Sequence, residues 1–506
     1  MITASQQFAA SVVAELVAQG VKNFYLAPGA RSQALAIAAG QLAGAGKLSL
    51  TVRLDERSLA FTALGRAMST SEPSVIITTS GSAVANLHPA VLEAHHSGVP
   101  LILLTADRPS ELRGIGANQT TEQVGIFANS LRGTHDVPAP RPGSIISAKD
   151  LVAAAISQSL GGAKSPGPVQ LNLQFVEPLS SGEPEAVKVL AGLEKRPLDF
   201  PEVPEDQIEI EVDDHTVVIA GAGAGPAAVR FAEKAQLPMF AEPSSGARYG
   251  SSAITNYLQG LSTSLAGEIR RVVIFGKPTL SRPVIDLIRN SSVYVAKSRQ
   301  YGNFDIGRNA IASSWNLVPS GVADRRWLES WKAFQPISEP RAILAQTVWN
   351  AAGSVPLLFG ASNIIRVAES CLEPKPKAVF SSRGLSGIDG SVSTAIGIAQ
   401  AGSGARALIG DLTLLHDAGS MNISGLPNLN VQLIIGNDSG GEIFRKLEVA
   451  KNITPEMFSQ LFLTPQKVDI EKLCHAYGWQ YFSAANPTEL GLAMKQDGYV
   501  VIDYKL

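Results

Sequence analysis

Short apolar segments of strand length alternate with segments of helical length along almost the whole chain, and this alternation limits the possible folds more than any other feature. In the first third, helical stretches separate the strand-like runs NFYLAPG, LSLTVRLDE, SVIITTSG, VPLILLTAD and PVQLNLQF. Apolar strands that alternate with helices predict a parallel sheet covered on both faces. The predicted fold class is therefore α/β.

The same alternation returns twice further along the chain. Strand-like runs TVVIAG, RRVVIFG and SSVYVAK occur within 213–335, and VPLLFG, KAVFSS, RALIGD, VQLIIGN and YVVIDY occur within 336–506. Because 506 residues exceed what one core accommodates, we expect three successive α/β domains with mostly parallel sheets, at 1–182, 213–335 and 336–506. The Pro- and Glu-rich stretch between the first two, 183–212, is expected to be an exposed linker.

Composition narrows the class of ligand. Hydrophobic residues make up 45% of the chain, charged residues 17%, and the net charge is −2, which excludes a disordered chain and a basic surface for nucleic acid or anionic membrane. Cys371 and Cys474 lack metal-ligand spacing and are expected to be packing residues in a reducing compartment. The N-terminus reads as an amphipathic helix without signal-peptide features, so we expect a soluble cytoplasmic protein with small-molecule ligands.

Two apolar runs in the last third, ALIGDLTLLHD and VQLIIGNDSGGEIF, end in acidic residues and glycine. This pattern places Asp411 and Asp438 at strand ends that face one crevice. Mg²⁺ prefers carboxylate, carbonyl and phosphate oxygens, so Asp411, Asp438 and the Gly440 carbonyl predict a metal-diphosphate site, with Gly440 and Gly441 permitting close approach of an anion. Either segment alone is equally typical of a simple turn.

Glu56, in RLDERSLAFTALGRAM, lies at a predicted junction between a strand and a helix. A carboxylate in this position is commonly a helix-start residue favoured by the helix dipole. The alternative is a functional role: a Glu that hydrogen-bonds the ring nitrogen of an aminopyrimidine favours its imino tautomer, which can then remove a weakly acidic proton. The residues alone leave both interpretations open.

Several arginines stand just after predicted strands. Since ligands bind at the carboxyl ends of the strands in open α/β sheets, these guanidinium groups can converge on substrates rich in carboxylates. Any one of them alone is typical of a surface residue. The five are Arg31, Arg108, Arg282, Arg366 and Arg383.

Other motifs argue against competing chemistries. The GAGAG at 221–225 follows a predicted strand, but Pro226 stands where the dinucleotide fingerprint has its third glycine, so a turn is expected instead of an NAD site. The sequence contains neither an HExxH zinc pattern nor a GxSxG nucleophile elbow.

Several segments of the chain, taken in order, resemble those of the thiamine-diphosphate-dependent enzymes. They are APGARS, LDERS, TSGSAVANLHPAVLEAHHSGVPLILLTADRP, GANQTTEQ, SSRGLSGIDG, GDLTLLHD and NDSGGEIF. The resemblance spans nearly the full length of the chain. It is specific to the family of 2-succinyl-5-enolpyruvyl-6-hydroxy-3-cyclohexene-1-carboxylate (SEPHCHC) synthases of menaquinone biosynthesis. It implies a transferase that decarboxylates 2-oxoglutarate and adds the resulting succinyl group in 1,4 fashion to isochorismate. An acetolactate-synthase-like enzyme acting on pyruvate is the alternative, and a non-catalytic paralogue is a second alternative that the intact acidic residues argue against.

The resemblance also implies roles for particular residues. The three domains become a pyrimidine-binding, a central and a diphosphate-binding domain, and Glu56 of one subunit meets the diphosphate site of another, which requires a homodimer or homotetramer. Thiamine diphosphate and Mg²⁺, or Mn²⁺, are the implied cofactors, with Asp411, Asp438 and Gly440 as metal ligands and Glu56 on the aminopyrimidine. Ile388 is the implied apolar wedge beneath the cofactor, and the remaining cofactor contacts are Ser386, Gly410, Leu412, Gly441 and Ile443.

Substrate-contacting residues implied by the resemblance come from all three domains: Arg31, Ser32, Arg108, Gln119, Arg282, Ser362, Arg366 and Arg383. Two positions depart from the family pattern. Ala30 replaces a serine beside the cofactor, and Ser281 stands where some members carry a basic residue.

Overall fold

The first six strands form one entirely parallel sheet. The computed structural model describes residues 2–141, 146–161, 164–182, 185–402 and 404–506. The order of strands in this sheet is β2-β1-β3-β4-β6-β5. They are β1 (Asn23–Leu26), β2 (Ser49–Val52), β3 (Ser74–Thr78), β4 (Leu101–Asp107), β5 (Gly133–Val137) and β6 (Pro168–Gln174).

Helices cover both faces of this sheet, and they are α1 (Ala4–Ala18), α2 (Gln33–Gly44), α3 (Glu56–Thr70), α4 (Ser82–Ala85), α5 (His88–Ser97), α6 (Ala148–Ser159) and α7 (Ala186–Ala191). The α1 helix, expected to be amphipathic, is buried around most of its circumference because α2, α6 and α7 pack against it. The α7 helix lies within 183–212, the segment expected to be an exposed linker. Its residues Ala186 and Leu190 are buried in the same core as α1.

A second parallel sheet follows, with strand order β12-β11-β10-β8-β9, and β7 and β13 form a separate two-stranded sheet. The strands are β7 (Gln207–Glu211), β8 (Thr216–Ala220), β9 (Met239–Ala241), β10 (Arg271–Phe275), β11 (Ser292–Ala296), β12 (Ala310–Ser314) and β13 (Asn316–Ser320). The helices are α8 (Gly225–Ala235), α9 (Tyr257–Leu261), α10 (Arg282–Arg289) and α11 (Arg325–Lys332).

The third sheet is also parallel, with strand order β15-β14-β16-β17-β19-β18. Its strands are β14 (Leu357–Phe359), β15 (Val379–Phe380), β16 (Ala405–Gly410), β17 (Val431–Asn437), β18 (Gln480–Ala484) and β19 (Tyr499–Lys505). The helices are α12 (Pro340–Ala351), α13 (Asn363–Cys371), α14 (Ser391–Ala399), α15 (Asp411–His416), α16 (Pro455–Phe458), α17 (Ile470–Ala476) and α18 (Pro487–Ala493).

Short helical segments outside the α-helices complete the secondary structure. A π-helical turn spans Ser459–Leu463. The 3₁₀ segments are Ser110–Leu112, Ala128–Ser130, Ser264–Glu268, Ala418–Met421, Glu442–Lys446 and Glu448–Lys451.

The described residues divide into two compact units. Unit 1 comprises those of Met1–Glu202, together with Ile396–Ala401 and Asn422–Asn428, and contains the first sheet. Unit 2 comprises Val203–Ala395, the described residues of Gly402–Met421, and Leu429–Leu506, and contains the other sheets. Parallel strands alternating with helices throughout confirm the predicted α/β fold class.

The burial of the cysteines agrees with the expectation for them. Both cysteines, Cys371 and Cys474, are free thiols with buried side chains, as expected for packing residues. In the described part of the chain, the helices are too short or too polar to cross a membrane.

Candidate active site

The two acidic residues expected to share a crevice lie at the ends of neighbouring strands of unit 2. Strands β16 and β17 are paired in parallel with Gly410 opposite Gly436, so Asp411 and Asp438 follow them at the same edge of the sheet. A cavity of about 220 Å³ opens there. Nine residues predicted from the sequence line it: Ser362, Ile388, Gly410, Asp411, Leu412, Asp438, Gly440, Gly441 and Ile443.

Asp411 is the first residue of α15 and its side chain is buried. Burial and, to a smaller extent, the nearby charge of Asp438 raise the pKa of this carboxyl to about 6, against the lowering effect of hydrogen bonds from the Leu412 and Gly440 N–H groups. A carboxylate that is costly to ionise here is stabilised by a cation. The position is therefore suited to a metal ligand.

Asp438 is paired with an arginine that the sequence analysis did not identify. The Arg341 Nη2 atom lies 2.5 Å from Asp438 Oδ2, and the two side chains are 22% and 17% exposed. Arg341 also lines the cavity. No local sequence signal connects these residues, which are 97 positions apart.

Gly440 and Gly441 follow Asp438 in a segment that admits no side chain. A Cβ atom at Gly440 would lie 2.5 Å from the Leu463 carbonyl oxygen, and one at Gly441 would lie 2.4 Å from that of Phe462. Gly440 also has φ +148°, which side-chain-bearing residues rarely adopt. At Gly440 and Gly441 the cavity is therefore lined by bare backbone next to two carboxylates, as expected where a phosphate group and its metal approach closely.

Ile388 lines the cavity, whereas Ser386 is not among its lining residues. Ser386 has φ +59°, in the left-handed region. Downstream, Asp417 Oδ2 accepts a 2.9 Å hydrogen bond from the Val392 N–H at the start of α14, and the Ser391 hydroxyl donates to the Ile388 carbonyl at 3.1 Å. These bonds fix the backbone that carries Ile388.

The three arginines of unit 2 surround one short segment, Thr279–Ser281, which precedes α10. The Arg383 Nη2 atom donates to the Thr279 carbonyl and hydroxyl at 3.2 and 2.9 Å, and Arg366 Nη1 donates to the Leu280 carbonyl at 2.7 Å. Arg282 begins α10 with an 82% exposed side chain. These arginines therefore lie near one another but are not among the residues that line the cavity.

Two buried glutamates hold the other side of the same segment, and sequence reasoning missed both. Glu242 Oε1 accepts hydrogen bonds from the Thr279 and Leu280 N–H groups at 2.7 and 2.8 Å. Glu369 Oε1 accepts one from the Ser281 hydroxyl at 3.0 Å. Ser281, which departs from the family pattern, is thus the hydroxyl partner of a buried acid.

The predicted residues of unit 1 form a second group. Arg108 Nη1 donates to the Ser80 hydroxyl at 2.8 Å and to the Gln119 carbonyl at 2.6 Å, and the Gln119 side chain donates back to the Ser80 carbonyl at 3.0 Å. Arg31 donates to the Phe175 carbonyl at 3.1 Å. Partial burial, followed by the charge of Arg108, lowers the pKa of Arg31, which indicates that the two guanidinium groups are neighbours.

Ser32 is fully buried and its hydroxyl donates to the Gly29 carbonyl at 3.1 Å. A Cβ atom at Gly29 would lie 2.3 Å from the Cβ of Thr79, so this turn packs tightly against the end of β3. The close contact fixes the backbone that presents Arg31.

Glu56 is the first residue of α3, at the strand-helix junction where the sequence placed it. The helix cap is the preceding residue, Asp55, which accepts hydrogen bonds from the Arg57 N–H at 3.0 Å and from the Ser58 hydroxyl. Glu56 is partly buried, and its Oε2 accepts a 3.4 Å hydrogen bond from the Asn86 side chain. Because Asp55 caps the helix, the Glu56 carboxylate is not needed for that purpose.

Comparisons with known proteins identify the family of the chain. Residues 6–126 match the family model described as thiamine pyrophosphate enzyme, N-terminal TPP binding domain. The chain is 38% identical to the 2-succinyl-5-enolpyruvyl-6-hydroxy-3-cyclohexene-1-carboxylate (SEPHCHC) synthase of Leifsonia xyli, over 96% of this chain and 93% of that protein. The chain belongs to the SEPHCHC synthase family. The SEPHCHC synthase of an Arthrobacter species is 39% identical, over 99% of this chain and 89% of the relative.

A solved structure extends the similarity to the fold. The benzoylformate decarboxylase of Polynucleobacter necessarius superposes with a TM-score of 0.71, over 99% of this chain and 98% of that one, at 14% identity. As a member of the SEPHCHC synthase family, the chain is a transferase-type enzyme of the thiamine-diphosphate class. The family resemblance read from the sequence is thereby confirmed.

Proposed function

We propose that this enzyme decarboxylates 2-oxoglutarate and adds the resulting succinyl group in 1,4 fashion to isochorismate, giving SEPHCHC and CO₂ in menaquinone biosynthesis. The observation that carries the proposal is the cavity of about 220 Å³ at the ends of β16 and β17, in a chain of the SEPHCHC synthase family. The cavity brings together the Asp411 and Asp438 carboxylates and the backbone of Gly440 and Gly441, two positions that admit no side chain.

The donor set of this cavity fits a divalent metal and a diphosphate. Asp411 and Asp438 supply carboxylate oxygens, and the Gly440 carbonyl is the third proposed protein ligand for Mg²⁺, or Mn²⁺. In the described residues no group of three or more His, Cys, Asp or Glu side chains forms an alternative metal site. The Gly410, Leu412, Gly441 and Ile443 backbone is proposed to surround the diphosphate.

When bound, thiamine diphosphate supplies the nucleophilic carbon and the electron sink for decarboxylating a 2-oxoacid. We assign Glu56 to a hydrogen bond with the ring nitrogen of its aminopyrimidine, since Asp55 already caps α3. Ile388 is proposed as the apolar support under the cofactor, with Ser386 nearby. Apolar surroundings exclude water and strengthen electrostatic interactions with the reacting groups.

Both proposed substrates are dicarboxylates, which gives the arginine groups their purpose. In unit 2, Arg282, Arg366 and Arg383 are proposed to bind substrate carboxylates, with Ser362 at the cavity. In unit 1, the proposed contacts are Arg31, Ser32, Arg108 and Gln119. Arginine suits this role because its planar fork binds a carboxylate through two hydrogen bonds.

We further propose that 1–182 is the pyrimidine-binding domain, 183–212 a linker, 213–335 the central domain and 336–506 the diphosphate-binding domain. A homodimer is proposed as the minimal assembly, with a homotetramer as a larger form and active sites at the subunit interface. Leu54, two residues before Glu56, is 80% exposed in the single chain, and the proposed interface beside Glu56 would cover it. Light scattering coupled to gel filtration tests the assembly.

Mass-spectrometric product analysis tests the reaction. The complete mixture contains 2-oxoglutarate, isochorismate, thiamine diphosphate and Mg²⁺, and each omission is expected to abolish SEPHCHC formation. A parallel incubation with pyruvate alone tests for acetolactate. Acetolactate formation without SEPHCHC would replace the proposed substrates with those of an acetolactate-synthase-like enzyme.

A further inference from the structure

Arg341 is a charged residue of the cavity that neither the sequence motifs nor the proposed function accounts for. Its Nη2 atom lies 2.5 Å from Asp438 Oδ2, and its side chain is 22% exposed. Among the described atoms, Arg341 Nε is buried without a hydrogen-bond partner. One edge of the guanidinium is thus engaged by a proposed metal ligand, while another donor is unused.

The support of Arg341 is rigid. It is the second residue of α12, after Pro340, and the helix buries Ala342, Leu344, Ala345, Val348 and Trp349 in the core of the third sheet. Leu344 reaches the end of β17, where a Cβ atom at Gly436 would lie 3.1 Å from Leu344 Cδ2. The base of the Arg341 side chain is therefore fixed next to the strand that carries Asp438.

Charge explains why an arginine stands beside Asp438. Three acidic side chains line the cavity, Asp411, Asp438 and Glu442, and Arg341 is the basic residue among its lining residues. Glu442 is already paired with Arg445 at 2.5 Å. A mostly buried carboxylate is costly without a partner, so Arg341 stabilises Asp438 when no metal is present.

A divalent cation bound to Asp411 and Asp438 would compete with the guanidinium for the same carboxylate. We propose that Arg341 is the counter-ion of Asp438 in the metal-free chain, is displaced by the metal, and then binds a phosphate oxygen in the same cavity. This inference rests on the proposed function, because the phosphate is that of the cofactor. The unused Nε donor allows the two-point contact with phosphate that a planar guanidinium favours.

The proposal predicts opposite effects on two ligands. Removing Arg341 abolishes competition for Asp438, so metal alone binds more tightly. The same change removes a phosphate contact, so a diphosphate binds less tightly once the metal is saturating. A residue with a merely structural role would weaken both.

Titration calorimetry with Arg341→Gln, Arg341→Lys and the unaltered chain tests this. Mn²⁺ alone is expected to bind Arg341→Gln about three- to tenfold more tightly. At saturating Mg²⁺, thiamine diphosphate and inorganic pyrophosphate are expected to bind it about tenfold more weakly. Arg341→Lys keeps the charge without the fork, so its Mn²⁺ affinity stays near that of the unaltered chain while pyrophosphate binding is intermediate.

Arg326→Gln is the matched control, because Arg326 also pairs with an aspartate, Asp324, at 2.5 Å but is 92% exposed on α11. It should change neither affinity. Unchanged or weaker Mn²⁺ binding by a folded Arg341→Gln, or unchanged pyrophosphate binding, would overturn the inference while leaving the proposed function intact. Failure of the unaltered chain to bind Mn²⁺ and thiamine diphosphate would instead overturn the proposed function itself.

Discussion

The Tyr257 hydroxyl donates a 2.6 Å hydrogen bond to Glu369 Oε1, joining α9 to α13 across 112 residues of sequence. Both side chains are buried. Burial, followed by the negative charge of Glu242, raises the pKa of Glu369 to about 7, against the lowering effect of the hydrogen bonds from Tyr257 and Ser281. The acid that binds Ser281 of the segment Thr279–Ser281 is therefore held close to its titration point near neutral pH.

This relationship predicts a pH-dependent stability. Because the folded pKa of Glu369, about 7, is above its ordinary value of 4.5, its contribution to stability is complete below pH 4.5 and is lost as pH rises through 7. Glu369→Gln keeps the acceptor for Tyr257 without the charge. We expect it to be more stable than the unaltered chain at pH 8, by on the order of 2 to 3 kcal/mol, and to lose this advantage at pH 5.

Thermal unfolding of the two proteins at pH 5, 6, 7 and 8 measures the difference. Glu373→Gln provides the control, since Glu373 is exposed two residues after the end of α13 and its replacement should not change the pH profile. A constant difference in melting temperature across the pH range for Glu369→Gln would refute a titrating buried acid.

Asp411 offers a separation of stability from cofactor binding. Its pKa is raised from the ordinary value of 3.8 to about 6. The contribution of this side chain to stability is therefore complete below pH 3.8 and is lost as the pH rises through 6. Without metal at pH 7.5, Asp411→Asn should therefore be at least as stable as the unaltered chain. Its affinity for thiamine diphosphate with Mg²⁺ should fall by at least about 10- to 100-fold.

Melting temperature without metal and calorimetric titration of the cofactor with Mg²⁺ measure the two effects of Asp411→Asn. Asp389→Asn, at a half-exposed carboxylate, is the control. Equal cofactor affinity in Asp411→Asn and the control would remove Asp411 from the proposed metal ligands.

The sequence located site residues correctly where they directly follow an apolar strand. Strands β16 and β17 are apolar over nearly their whole length and stop at Gly410 and Asn437, so Asp411 and Asp438 were located correctly at adjacent strand ends. Parallel topology then brings them to one cavity without any further information. Their roles as metal ligands stay a prediction.

Strands without a continuous apolar run escaped sequence analysis. The edge strand β5, GTHDV, alternates between partial and full exposure until Val137, and β18, QYFSA, is partly or fully exposed until Ala484. These edge strands are specified by pairing with the buried strands β6 and β19. Such information is carried by neighbours in space and not by the segment itself.

Partners distant in sequence were equally inaccessible. Glu242 and Glu369 lie on different segments and meet only because the fold brings both to Thr279–Ser281. Arg341 likewise reaches Asp438 from the start of a helix 97 residues earlier. A lone charged residue in a helix or loop gives no sign of its partner, so these pairs required the structure.

Substitutions of Glu56 and of its neighbour Asp55 should have separate effects, one on catalysis and the other on the capping of α3. Glu56→Gln is expected to keep cofactor affinity and thermal stability but to lower turnover by about 100-fold or more, because the neutral amide cannot act as the acid-base partner of the aminopyrimidine. Asp55→Ala removes the cap of α3 and should lower stability by about 1 kcal/mol. Turnover by Glu56→Gln at the unaltered rate would return Glu56 to the role of an ordinary helix-start carboxylate.

The arginine groups should affect substrate chemistry more than cofactor binding. Arg383 is buried against Thr279, and Arg108 joins Ser80 to Gln119, so each guanidinium is already oriented before substrate arrives. We expect Arg383→Ala and Arg108→Ala to lower kcat/KM for 2-oxoglutarate or isochorismate by about 10- to 100-fold, the loss typical of a charged hydrogen bond. Calorimetry should show thiamine diphosphate affinity within about threefold of the unaltered chain, a difference of less than 1 kcal/mol.

The exposed Arg230 on α8 supplies the control variant, Arg230→Ala. Parallel losses of cofactor affinity and turnover would show that these arginines hold the cofactor site together and do not bind substrate carboxylates.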